Sequence, residues 1–155
     1  MNRFQSALRA VALAVAFTAA GTASAQGLYA GVGVTDTDLD TGLKLFVGAP
    51  ISAPFGWEAQ YTGFGSRTTF GVKTSAFALG ASATATLPIQ RNLSAFGKLG
   101  IHYAKVKNDV FGSDTSTELG VGIGLLWQVA PQWGLRVEWE HIDSDVLSFG
   151  VQMKF

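Results

Sequence analysis

Cysteine is absent from the 155 residues, so no disulfide holds this chain together. Histidine is almost as scarce: His102 and His141 are the two present, and with no cysteine beside them they make no metal site. Charge is thin as well. Asp, Glu, Lys and Arg supply 14% of the residues, against about 25% in an ordinary soluble domain. There is no basic excess, which removes the electrostatic footprint that nucleic-acid binding needs. Long apolar runs are missing too. The longest occupies residues 10–20 and reaches about half of the roughly 20 residues that a spanning helix requires. If the chain crosses a membrane, it does so with strands.

What is present begins with an export signal. Arg3 and Arg9 form a basic start, the apolar stretch 10–20 follows, and Ala23-Ser24-Ala25 gives the small-x-small pattern of a signal peptidase site. Cleavage after Ala25 divides the chain into a signal peptide, 1–25, and a mature domain, 26–155. Removing Arg3 and Arg9 leaves nine basic side chains against eleven acidic ones, a net charge of −2. A mature chain of this length is one domain.

From residue 26 onward apolar side chains recur at every second position, the period of a strand. The pattern predicts eight strands, near 27–34, 42–49, 55–62, 73–87, 93–104, 117–129, 133–141 and 146–155. One face holds all four tryptophans (Trp57, Trp127, Trp133 and Trp139) with most of the Leu, Ile and Val residues, and it carries no charge. The other face is small or polar. It carries Gly31, Gly33, Gly80, Gly100, Gly120, Gly122, Gly124 and others, with four cations (Lys44, Lys98, Arg136, Lys154) and four acids (Glu58, Glu118, Glu138, Glu140). Tyr29, Phe46 and Phe96 break this second pattern and have to pack inside.

Sidedness follows from volume. The interior of an eight-stranded barrel is just wide enough to be filled by side chains, so the tryptophan face cannot be the inner one. The glycine-rich face fits, and its opposite charges can pair there. The bulky face then points outward, where an uncharged wall needs lipid beside it. The expected fold is all-β: an eight-stranded antiparallel up-and-down transmembrane β-barrel. All four prolines (Pro50, Pro54, Pro88 and Pro131) are expected in the turns after strands two, four and six, on the periplasmic side. The intervening segments, near 35–41, 63–72, 105–116 and 142–145, read as polar outer loops. Trp127, Trp133, Phe55 and Phe155 then lie near the periplasmic rim, and Tyr61, Tyr103 and Trp139 near the outer one, as in two aromatic girdles.

The C-terminal segment Leu147-Ser-Phe149-Gly-Val151-Gln-Met153-Lys-Phe155 alternates to a terminal phenylalanine and resembles the C-terminal signature of outer-membrane proteins. Residues 133–143 are similar to the penultimate strand of OmpA-type barrels, and residues 93–100 to their fifth strand. In length the chain is closer to small OmpX-like and NspA-like barrels. The resemblance implies residence in the cell outer membrane, contact with the lipid bilayer and lipopolysaccharide, and recognition of Phe149, Val151, Met153 and Phe155 by the barrel-assembly machinery. A monomer is expected, with no cofactor. The resemblance also implies ion pairs between facing strands inside the lumen. Glu58, Lys98, Arg136 and Glu138 match first, with Lys44 and Glu140 next.

His141 is the strongest catalytic candidate. It is set against lipid A deacylases of the PagL-like family, which use a His-x-Ser motif and a downstream glutamate. Here the order is His141-Ile-Asp143-Ser144-Asp145, with the serine one place late and no glutamate after it. A serine nucleophile needs its base within hydrogen-bond reach and an acid to orient that base. Asp36-Thr-Asp38-Leu-Asp40 begins like a calcium loop, but Thr41 stands where glycine belongs and Val47 where glutamate does, so it reads as a solvated acidic loop. Gly120-Val-Gly122-Ile-Gly124 lies inside a strand with no helix following and is no dinucleotide fingerprint. The leading reading is a non-enzymatic barrel with a structural, membrane-integrity or surface-interaction role. A lipid A-modifying enzyme, a narrow gated pore and a soluble ligand-binding barrel stand as the alternatives. The mature protein should begin at Gln26; an intact mass that still includes residues 1–25 contradicts the export reading.

Overall fold

A computed structural model of the chain describes residues 27–37, 41–69, 72–108 and 112–155. The signal segment and residues 38–40 of the acidic loop lie outside the described residues. Eight strands follow one another: β1 (Tyr29–Thr37), β2 (Thr41–Ser52), β3 (Phe55–Thr69), β4 (Val72–Gln90), β5 (Leu93–Asn108), β6 (Gly112–Gln128), β7 (Trp133–Ile142) and β8 (Ser144–Lys154). Each pairs antiparallel with the next, and β1 pairs with β8 from Tyr29↔Lys154 to Thr37↔Val146, so the sheet closes into a barrel. Closure leaves no strand edge in the apolar layer, which is why a barrel can stand in hydrocarbon where an open sheet cannot.

Alternation decides which way each side chain faces. β7 shows it most cleanly: Leu135, Val137 and Trp139 are exposed on the outside while Arg136, Glu138 and Glu140 are buried inside. The four tryptophans all stand on the outer wall, as do Leu99, Ile101, Leu119, Val121, Ile123 and Phe149. At the outer girdle Tyr61 stacks on Phe77, ring centroids 5.8 Å apart. Glycine makes the inside habitable. A Cβ at Gly31 would collide with the Phe46 ring, one at Gly124 with Phe96, and one at either Gly80 or Gly120 with the His102 imidazole. Phe46 and Phe96 are buried inside and Tyr29 is half-buried against Phe46.

The structure corrects two expectations. Segments 63–69 and 72 of the expected loop 63–72, and 105–108 and 112–116 of the expected loop 105–116, are strand. The β3–β4 ladder runs out to Thr69↔Val72 and the β5–β6 ladder to Asn108↔Gly112. The 19 residues of β4 extend for roughly 60 Å at about 3.4 Å per residue, twice the roughly 30 Å of a hydrocarbon core. Hydrophobic alternation stops where a strand leaves lipid for water, but its hydrogen-bond ladder does not. The second correction concerns proline. Pro54 and Pro131 lie in turns, whereas Pro50 and Pro88 lie in the last residues of β2 and β4, where the register shifts between Pro50 and Ser52 and between Pro88 and Gln90. Such irregularities tolerate a residue without an N–H.

An outward-facing charge in mid-wall should be costly. Ile123→Arg or Val121→Arg is expected to lower the folding free energy by about 2–4 kcal/mol, measured by urea unfolding in vesicles; an unchanged value means this face does not meet lipid. Gly122→Arg should fail for another reason, since even a Cβ there would press on Lys98 and on the Trp139 carbonyl.

Candidate functional site: a charged core in the lumen

The inward positions of β2, β3, β5 and β7 converge in mid-barrel. Lys44, Glu58, Lys98, Arg136, Glu138 and Glu140 are all buried there, three cations against three carboxylates. Arg136 forms a fork onto Glu58, with Nη1 donating to Oε2 at 2.7 Å and Nη2 to Oε1 at 3.0 Å, while its Nε donates to Glu138 Oε2 at 2.9 Å. Its guanidinium plane lies between two rings, 4.3 Å from the Phe46 centroid and 4.1 Å from that of Phe96. A planar, weakly hydrated cation suits this slot, and a lysine would lose both the fork and the stacking. The Tyr29 hydroxyl adds a further hydrogen bond to Glu58 at 3.1 Å.

The two lysines complete the core. Lys44 Nζ donates to Glu138 Oε1 at 2.7 Å and to Glu140 Oε2 at 2.9 Å. Lys98 Nζ lies 2.9 Å from Glu140 Oε1 and 3.4 Å from Glu58 Oε1, and contacts Glu138 and Gln60 as well. Gln60 was not foreseen from the sequence. Its Nε2 donates to Glu140 Oε2 at 2.8 Å, and its Oε1 accepts from Lys98, so one amide links an acid to a base. The signal was its place on β3, two residues from Glu58 on the same inward parity.

Above this core His102 is fully buried, with Nε2 3.5 Å from Glu140 Oε1 and neither ring nitrogen hydrogen-bonded within the protein. Beyond it, towards the outer end, Phe64, Ala78 and Val146 make an apolar layer with Ala76 and Ala104 packed against it. Of the remaining inward-parity charges, Glu118 is half-buried and Lys154 is exposed.

The other candidates fall elsewhere. His141 faces outward and Ser144 takes the inward parity of β8, so the barrel wall separates them. The His141 Nδ1 pairs with Asp145 Oδ1 at 2.8 Å on the exposed outer rim. Among the described residues no cluster of three His, Cys, Asp or Glu side chains is arranged to hold a metal ion. Phe149 and Val151 point to the outside of β8, and Met153 and Phe155 are half-buried at its end. The Phe155 N–H donates to the Leu28 carbonyl at 2.9 Å, fastening the seam between β8 and the start of β1.

A closed eight-stranded wall with an apolar outer belt and an ion-paired interior defines a small transmembrane barrel of the outer membrane. The chain belongs to the outer membrane protein beta-barrel domain family, which it matches over residues 8–155. Among solved structures it is similar to Neisserial surface protein A, with 21% identity, 83% of this chain and 94% of that one covered, and a TM-score of 0.63. It is similar also to Ail, the attachment invasion locus protein of Yersinia pestis (18% identity, 84% and 99% covered, TM-score 0.59). The N-terminal barrel domain of Pseudomonas aeruginosa OprF superposes with a TM-score of 0.71 at 11% identity, covering 84% of this chain and 98% of that one. No curated protein sequence matches the chain.

Removing one member of the core strands its partners. Lys98→Met leaves Glu58, Glu138 and Glu140 with two cations between them, and should cost about 3–5 kcal/mol. A clear drop in the unfolding temperature checks this; an unchanged temperature would mean that the lysine is not an obligatory partner.

Proposed function

We propose that the protein is a non-catalytic, monomeric barrel that supports outer-membrane integrity and surface contact, exported as a precursor and cleaved after Ala25. The observation that carries this reading is that both faces of the wall are already occupied. The inner face is filled by the charged core, whose buried cations and carboxylates satisfy one another, and the outer face is apolar and meets lipid. A bore packed in this way favours neither free diffusion nor substrate entry. His141 and Ser144 on opposite faces of the wall also speak against the deacylase reading, because the base and nucleophile must touch.

The outer hairpins are then the surface left for recognition. Lys105 belongs to the outer half of β5, which gives that end a cation for phosphate or sulfate groups such as those of lipopolysaccharide. Ail, a structural neighbour, has been solved with the heparin analogue sucrose octasulfate, a polyanion of comparable chemistry. The end of β8, with Phe149, Val151, Met153 and Phe155, serves as the assembly signal in this reading. Lipid A from cells with and without the protein should have the same mass, and the purified barrel should form no steady channel in planar bilayers. Loss of an acyl chain would replace this proposal with the enzymatic one, and stable single-channel steps would replace it with a pore.

A further inference from the structure

The outer wall is not evenly contoured. A groove of about 550 Å³ lies along it, with Leu93, Leu125, Trp127, Leu135 and Val137 forming an apolar floor. Its polar lining is confined to one end, where Gln90 and Asn92 flank the turn between β4 and β5. An occupant with a long apolar body and a polar head placed at the periplasmic rim matches that lining. Such a molecule is a phospholipid of the inner leaflet.

Charge narrows the headgroup. Arg91 stands between Gln90 and Asn92, exposed, in that turn. Among the described residues the charged side chains at this rim are Arg91 and Lys154, both cationic with no acid beside them, while Lys105 shares the opposite end with Asp36, Asp114, Glu118, Asp143 and Asp145. The mouth is also held in place. The Gln128 N–H donates to the Asn92 carbonyl at 2.7 Å, and the Gln128 side-chain amide donates to the carbonyls of Ala130 and Pro131 at 3.1 and 3.2 Å, tying the two neighbouring turns together. A preformed mouth lowers the entropy cost of capture. We propose that this groove binds one anionic glycerophospholipid, its acyl chain on the Leu93–Trp127–Val137 floor and its phosphate at Gln90, Arg91 and Asn92. The site goes beyond the role proposed above and needs only that the wall meets lipid.

Trp127 forms part of the floor and reports occupancy directly. In a protein carrying Trp57→Phe, Trp133→Phe and Trp139→Phe, folded into phosphatidylcholine vesicles, Trp127 fluorescence is followed as lipid with brominated acyl chains is added at a fixed small mole fraction. Brominated phosphatidylglycerol should quench several-fold more strongly than brominated phosphatidylcholine. Arg91→Ser and raised salt should each erase that preference, because the exposed attraction is screened. A second reporter protein, keeping Trp139 at the outer end in place of Trp127, should show no preference. Equal quenching of Trp127 by the two lipids overturns the proposal. So does a preference that survives Arg91→Ser, or one that Trp139 shares, since either would mean general enrichment of anionic lipid around the barrel. Slower migration after heating, measured for each variant, establishes that the Arg91→Ser barrel is folded; if it is not, Arg91→Gln takes its place.

Discussion

Every backbone N–H and C=O in the hydrocarbon layer must find a partner within the protein, and from that one constraint the rest of this molecule follows. A sheet meets it only by closing, which β1 does against β8. Closing eight strands fixes a bore that side chains alone fill. A bore of that width has little room for water, so any charge placed in it must be neutralised by another. Three cations and three carboxylates answer that demand here, drawn from four strands.

The charged core is a poor source of net stability, because desolvating six ionised groups offsets much of what their attraction returns. Its value is better understood as a constraint on register. A slip of one residue in β2, β3, β5 or β7 would carry that strand's core charges into lipid, and in β3, β6 or β7 it would carry tryptophan into the bore. Arg136 shows how tightly the arrangement is specified. It needs Glu58 from β3 in front of it, Phe46 from β2 and Phe96 from β5 on its two faces, and Glu138 two residues along its own strand. Glycine is the complement of these bulky groups: Gly31 and Gly124 leave the space that the two phenylalanines occupy. The low identity to structural neighbours fits the same logic. Alternation and closure define the wall, and many residue choices satisfy them.

The strands and their faces were legible in the sequence because two environments as different as hydrocarbon and a polar bore impose opposite preferences on alternate residues. Eight charges on the inner face were legible for the same reason, with the resemblance to OmpA-type barrels singling out six of them as partners, and Phe46, Phe96 and Tyr29 declared themselves as large residues on a small-residue face. The outer halves of β3 to β6 were not, since the hydrophobic period stops there while the pairing persists.

Composition and period by themselves determined an uncharged outside, a crowded polar inside and eight crossings. Only the closed structure decided which acid meets which base. Lys44 and Glu138 are 94 positions apart in the chain and touch at 2.7 Å across the bore, a proximity set by barrel diameter and stagger and by nothing local to either residue.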